Sequence, residues 1–239
     1  MCLATTTTLG YDDLPALLTR LTGDEKHDRS SFSTLDVLWV LYDRVLRDED
    51  RFLLSKGHGP AAFYAVLAAK GIVPADALDD FGSFDSPLGY HPDRKLAPGV
   101  EISSGSLGHG LGMAVGAALT GRRIYCLVGD AELDEGSNWE AVQYAGRVGL
   151  GSLTAIVVDN DSSEHGWPVA GSASAEAGDV RPKDRGAYGA PGGIERRLML
   201  EGWIAQRVDG RDHEALEAAL TPVPGATRPR CVVAEVERR

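Results

Sequence analysis

The sequence predicts an α/β protein, a doubly wound and mostly parallel sheet with helices on both faces, and three observations carry that prediction. Short apolar runs recur along the chain, segments with helically spaced apolar residues lie between them, and no shift in composition divides the chain into two cores. Runs that are apolar throughout, rather than alternating, belong to strands covered on both faces, which is the parallel arrangement. With 239 residues and 43% apolar content, a single domain over 1–239 is expected.

Taken in order, Leu14, Leu17, Leu18 and Leu21 share one helical face, and Leu35, Leu38, Leu41, Tyr42 and Val45 share another. Strands are predicted at 124–128, 153–158 and 231–236, each a compact apolar run bounded by charges or glycines, with a more polar run at 203–208. Helices are predicted at 60–70, 105–119, 138–148 and 212–220. The stretch 161–193 is rich in Gly, Ala, Ser and Pro and far exceeds the usual connection of roughly 2–8 residues, so it reads as a mobile loop with a functional part.

The formal charge of −11 disfavours non-specific attraction to nucleic acid or to an anionic membrane, so an anionic ligand has to be held by local groups. Cys2, Cys126 and Cys231 are widely spaced and form no CxxC pair, which argues against a disulfide framework or a thiolate metal site and fits a reducing, cytoplasmic setting. No run approaches the roughly 18–20 apolar residues of a membrane span, and the N-terminus lacks a charged segment leading into an apolar one.

The stretch VGDAELDEGSNWEA, 128–141, opens at the carboxyl end of a predicted strand, where open α/β sheets bind ligands. About thirty residues on, the next strand ends in VVDND and places Asn160 at a matching edge. Asp130 and Asn160 together offer oxygen donors suited to Mg²⁺ that keeps substrate phosphates among its ligands; the same residue types also cap ordinary helices and turns. The stretch SSGSLGHGLGMAVGAAL, 103–119, is a small-residue turn entering a helix, which suits either phosphate binding at free backbone N–H groups or close helix packing. His27, His58 and His91 all stand in loop or small-residue contexts rather than on apolar faces. The glycines of 105–112 fit no Gly-x-Gly-x-x-Gly register after a strand, so a dinucleotide fingerprint is not indicated.

In order along the chain, residues 27–38, then RFLLSKGH, HPDRKLAPGVEISSGSLGHG, VGDAELDEGSNWEA, AIVVDND and GWIAQRVDGRDHEALEAAL resemble the successive blocks of the transketolase N-terminal domain, over about residues 11–236. The resemblance implies thiamine diphosphate and Mg²⁺ as cofactors. It places Asp130 and Asn160 at the two Mg²⁺ side-chain ligands and the Ser162 carbonyl at a third. It puts His58, Gly129, Ala131 and Glu132 among the residues around the diphosphate, and Gly105, Ser106 and Leu107 where backbone meets the aminopyrimidine. It places His27 and His91 against the hydroxyls of a ketose or ketose phosphate donor, and Glu135 and Glu140 at acidic positions linking paired active sites.

The sequence also departs from the family pattern. The usual Gly-Asp-Gly reads Gly129-Asp130-Ala131, His109 stands where Gln is usual, and His165-Gly166-Trp167 replaces Ile-Asp-Gly. The Lys-Gly-x-Gly segment and its histidine loop do not follow EVERR. The activating glutamate of this family belongs to the pyrimidine-binding domain. The resemblance therefore implies a split enzyme, a heterotetramer in which a pyrimidine-binding/C-terminal subunit completes each site. Two further readings stand beside glycolyl transfer between sugars: delivery of the two-carbon unit to a lipoyl or carrier-protein thiol, and a structural paralogue without catalysis.

Overall fold

The computed structural model describes residues 9–21, 32–162 and 193–237; His27 and most of 161–193 lie outside the described residues. The first helices are α1 (Leu14–Leu18) and α2 (Leu35–Val40), the latter prolonged by a π-helical turn over Leu41–Val45. Strand β1 (Arg51–Leu54) leads to α3 (Ala61–Ala69), and α4 (Gly110–Ala118) leads to β2 (Ile124–Gly129). Then come α5 (Gly136–Val148), β3 (Leu153–Asp159), α6 (Gly193–Leu200), β4 (Ile204–Asp209), α7 (His213–Leu220) and β5 (Arg230–Glu235). Among the described residues no helix is long and apolar enough to cross a membrane.

The five strands pair in the order β1-β2-β3-β5-β4, every pair parallel, with Ile124 opposite Leu153 and Ala155 opposite Cys231 fixing the central register. Successive residues of a strand point to opposite faces. Tyr125, Leu127, Ile156, Val158, Val232 and Ala234 enter one core with α1, α2, α3 and α7; Cys126, Val128, Ala155, Val157 and Val233 enter the other with α4, α5 and α6. Both cores need apolar residues at every position of β2 and β3, which is why those strands are unbroken apolar runs and are buried throughout.

The predicted strands are all present, within one or two residues at their ends. The polar one, β4, is an edge strand, and its exposed Ile204 and Gln206 reflect the missing neighbour. Two elements are absent from the sequence-based expectation. Strand β1 is four residues long and begins at Arg51, too short for a period to register. Helix α6 begins at Gly193, the last residue of the stretch expected to be loop. The helix predicted over 105–119 starts later, at Gly110, because Gly108 has φ of 81° and breaks the helical path.

Candidate functional site

The carboxyl ends of β1, β2 and β3 lie side by side, so the segments leaving them converge on one edge of the sheet. Asp130 follows β2 directly; its amide donates to the Val158 carbonyl at 3.0 Å, fixing its backbone to the end of β3. The side chain is buried, and both carboxylate oxygens accept from Ser162, one from the amide at 2.7 Å and one from the hydroxyl at 2.6 Å. Ser162 is brought there by a reversal after β3 in which Asp161 adopts φ of 58°. Two of the three residues expected at a metal thus touch, and Asn160, half-buried, lies between them in sequence.

Beneath this edge sits Glu132, 1% exposed, in the short 3₁₀ turn Ala131–Asp134. One carboxylate oxygen accepts from the Ser55 hydroxyl at 2.5 Å and the Gly108 amide at 2.9 Å, the other from the Gly129 amide at 3.4 Å. Glu132 therefore holds the turns together from below. Burial pushes its carboxyl up, while the bonds from Ser55, Gly108 and Gly129 and the charge of Lys56 pull the other way. The turn itself is fastened to α5 by Asn138 Nδ2 donating to the Glu132 carbonyl at 2.6 Å and by the Trp139 indole donating to the Leu133 carbonyl at 2.8 Å.

Sequence reasoning missed Lys56, although it stands inside RFLLSKGH. It is 5% exposed, and burial brings its ammonium down to about 8 even though Asp130 and Glu132 favour the charged form. A Cβ added to Gly129 would lie 3.3 Å from Lys56 Cδ, so the lysine stem passes directly over the strand end. The detectable signal was a lysine amid small residues immediately after an apolar run, where a charge is costly unless paired.

The glycine turn closes the opposite side. Gly108 carries φ of 81°, and a Cβ there would lie 2.5 Å from Ser137 Oγ and 2.6 Å from Glu135 Cβ, so the turn lies tight against the start of α5. Ser137 Oγ seals the contact by donating to the Gly108 carbonyl at 2.9 Å. His91 stands against the same turn, its ring carbon Cδ2 3.5 Å from the Cβ position of Gly105. Gly105 and Ser106 are exposed, Leu107 and His58 half-buried, and Glu135 and Glu140 exposed at the start of α5. The structure therefore brings together Lys56, His91, 105–108, 129–132, Glu135 and Ser162.

The donor set fits the cofactors expected from sequence. Among the described residues no group of three or more His, Cys, Asp or Glu forms a metal cluster, so a metal at Asp130 would rely on amide and backbone oxygens and on ligand oxygens, as Mg²⁺ with a diphosphate does. The buried Ser104 hydroxyl has no hydrogen-bond partner among the described residues, and the Cβ position of Gly57 lies 2.7 Å from it, so a polar atom faces the turn leading to His58.

Residues 39–177 match the family model described as transketolase, thiamine diphosphate binding domain. A protein of Rhodococcoides fascians named ferredoxin fas2 is 47% identical over 249 residues, spanning 98% of this chain and 74% of its own length. A protein of Clostridium sp. named 6-deoxy-6-sulfo-D-fructose transketolase subunit SqwG is 32% identical, spanning 81% of this chain and 70% of its own. A protein of Actinobacillus succinogenes named as one subunit of an apulose-4-phosphate transketolase is 41% identical over 54% of this chain and 52% of its own. The fold matches transketolase from Leishmania mexicana at a TM-score of 0.66 and 23% identity, over 95% of this chain and 37% of that one. The chain thus spans about half to three quarters of those three relatives and little more than a third of that transketolase. On the family model over residues 39–177, and on a relative named as a transketolase subunit that spans 81% of it, the chain belongs to the transketolase family and carries its thiamine diphosphate-binding domain.

Proposed function

We propose that this chain is the diphosphate-binding subunit of a two-chain transketolase, transferring a two-carbon ketol unit from a ketose donor to an acceptor with thiamine diphosphate and Mg²⁺. The observation that carries the reading is Asp130, a buried carboxylate at the end of a central strand, bonded to Ser162 and adjoining the Lys56 ammonium. Asp130, the Asn160 amide oxygen and the Ser162 carbonyl would hold the metal. His58, Gly129 and Ala131 border the diphosphate, and Lys56 supplies the positive charge that a protein of net −11 has to concentrate locally. Glu132 orients Gly108 and Gly129, so the backbone at 105–108 and 129–130 is set before any ligand arrives.

When bound, thiamine diphosphate supplies the nucleophilic carbon and the electron sink for breaking the bond next to the ketose carbonyl. The chain's own part is to orient: His91, exposed beside Gly105, and His27 hold donor hydroxyls and move protons at those oxygens. Glu135 and Glu140, exposed at the start of α5, face a neighbouring subunit that brings the pyrimidine-binding domain. The names of two relatives as transketolase subunits support a second chain.

Calorimetric titration tests this. Asp130→Ala should weaken Mg²⁺-dependent thiamine diphosphate binding by more than roughly 100-fold, beyond the ~10–100-fold typical of losing an outer-shell partner of a metal. Its circular dichroism should stay that of the wild type, and Asn160→Ala should behave alike. Wild-type affinity in Asp130→Ala, or ketol transfer by the isolated chain, refutes the reading.

A further inference from the structure

The opposite edge of the sheet carries a second constellation that the transketolase reading leaves unused. A cavity of about 510 Å³ opens at the amino ends of the strands, lined by Arg44, Arg47, Arg123, Arg230, Ser152 and Thr154 and rimmed by residues 221–226. Arg123 immediately precedes β2 and Asp130 immediately follows it, so the strand's length, roughly 20 Å, separates this cavity from the candidate site.

The charges lining the cavity are of one sign. The chain holds 35 acidic against 24 basic residues, yet four arginines and no Asp or Glu line this space. Two of the four are neutralised from outside it: Arg44 pairs with Glu217 at 3.0 Å, and Arg123 with Asp50 at 2.6 Å and Glu49 at 2.9 Å. Among the described residues the guanidinium groups of Arg47 and Arg230 have no carboxylate partner; only the Arg47 backbone amide reaches one, Asp50 at 3.0 Å. Arg47 reaches the Arg44 carbonyl at 3.2 Å and the Leu46 carbonyl at 3.4 Å.

Arg230 is the telling case. It is 9% exposed, and it donates to the Thr221 carbonyl at 2.7 Å and to the Ala219 carbonyl, at the end of α7. Those bonds and the helix dipole favour a cation there. They use two of the five N–H donors of a guanidinium, however, and a buried cation without a counter-charge is costly. Beside it Thr154, 8% exposed, lines the same cavity.

We propose that this cavity binds a small phosphorylated metabolite, with the phosphate held by Arg47 and Arg230 and the Thr154 hydroxyl donating to it. The guanidinium fork matches phosphate oxygens in pairs, and one-signed walls focus an anion into a cleft even on a protein that is acidic as a whole. The volume lies within the roughly 300–1,000 Å³ of small-molecule sites and far exceeds what one phosphate fills, which selects an ester over the free ion. The apolar rim at Pro222, Val223 and Pro224 offers the carbon skeleton a surface.

The test uses the Asp130→Ala chain in EDTA, so that no probe acts through the Mg-diphosphate site. Ribose 5-phosphate, inorganic phosphate and ribose are titrated at constant ionic strength, read by calorimetry and by thermal shift. Saturable binding of ribose 5-phosphate, at least fivefold tighter than inorganic phosphate and absent for ribose, is expected. Arg47→Gln removes the charge of a side chain whose bonds reach only the carbonyls of Arg44 and Leu46, and should weaken binding about tenfold. Val223→Asp sets a carboxylate at the exposed rim without touching the core, and should do the same if Arg47→Gln proves unstable. Equal affinity for phosphate and its ester would overturn the metabolite reading. No saturable binding, or binding unaltered in both variants, would return Arg230 to a plain cap on α7 and overturn the site altogether. Neither failure bears on thiamine diphosphate, because the Asp130→Ala background lacks that site.

Discussion

The Glu132 and Arg207 clusters lie at the same edge of the sheet and hold it in opposite ways. Glu132 is one carboxylate receiving a hydroxyl and two backbone amides, at 1% exposure. Arg207 is one guanidinium serving three carboxylates: a fork on Glu195 at 2.6 and 3.2 Å, Asp159 at 2.8 Å and Glu235 at 3.2 Å. The first orders backbone. The second ties together chain ends, because Asp159 precedes Asn160 while Glu195 follows shortly after 163–192. A buried carboxylate bonded to amides has no substitute of the same shape that offers two acceptor oxygens, whereas a charge shared among side chains at a wetter edge tolerates a different cation.

The largest expected effect follows from that difference. Glu132→Ala strands the amides of Gly108 and Gly129 and leaves Lys56 with one fewer counter-charge, so unfolding free energy should fall by roughly 3–5 kcal/mol in urea denaturation. Glu132→Gln should recover little of it, because its amide nitrogen would meet N–H donors where the carboxylate oxygens now accept. If Glu132→Gln were as stable as the wild type, the carboxylate would not be what holds the turns.

Arg207→Met should cost less, roughly 1–3 kcal/mol, since Glu235 is exposed and the cluster sits at the sheet margin. Burial opposes the charge of Arg207, but the bonds to Glu195 and Asp159 outweigh it and raise its pKa. Arg207→Lys keeps the charge and one carboxylate partner, so it should restore about half of the loss. Thermal denaturation of Met and Lys variants beside the two Glu132 variants checks the contrast directly. Equal rescue by both conservative substitutions would erase it.

The same contrast explains what is readable in sequence. Glu132 and Asp130 sit in one contiguous block, VGDAELDEG, at the end of an apolar run, so strand, turn and carboxylates are legible together. In sequence Glu132 reads as bordering the cofactor; in the structure it is 1% exposed and accepts from the amides of Gly108 and Gly129. Arg207, Asp159, Glu195 and Glu235 come from four separate elements, and no local pattern joins them. Strands β2, β3 and β5 are legible because both faces are buried; β1, beginning at a charge and four residues long, is not. Lys56 escaped because its burial depends on Asp130 and Glu132, which reach it only through the pairing of β1 with β2.

A third cluster sharpens the comparison through pH. The buried Asp36 carboxylate accepts from the Tyr11 hydroxyl at 2.6 Å and from Arg211 at 2.5 Å, and His213 Nε2 lies 2.8 Å from it. It joins the turn before α1 to α2 and the start of α7, as Arg207 joins β3, β4 and β5. Burial raises its pKa, but the bonds from Tyr11, His213 and Arg211 prevail and hold it below the ordinary 3.8. A carboxyl depressed in the folded state binds fewer protons there than in the unfolded chain. Its contribution is therefore complete above the unfolded value of 3.8 and is lost as pH falls through the lower folded value. Asp36→Asn keeps an acceptor for Tyr11 and removes the charge, so it should be less stable than the wild type by about 1 kcal/mol at pH 7. Urea midpoints of the two proteins should converge below pH 3.8, as the wild-type carboxyl takes up its proton. A gap that stays constant from pH 7 to pH 3 would mean that shape rather than charge makes this junction, and would set it apart from the Arg207 cluster.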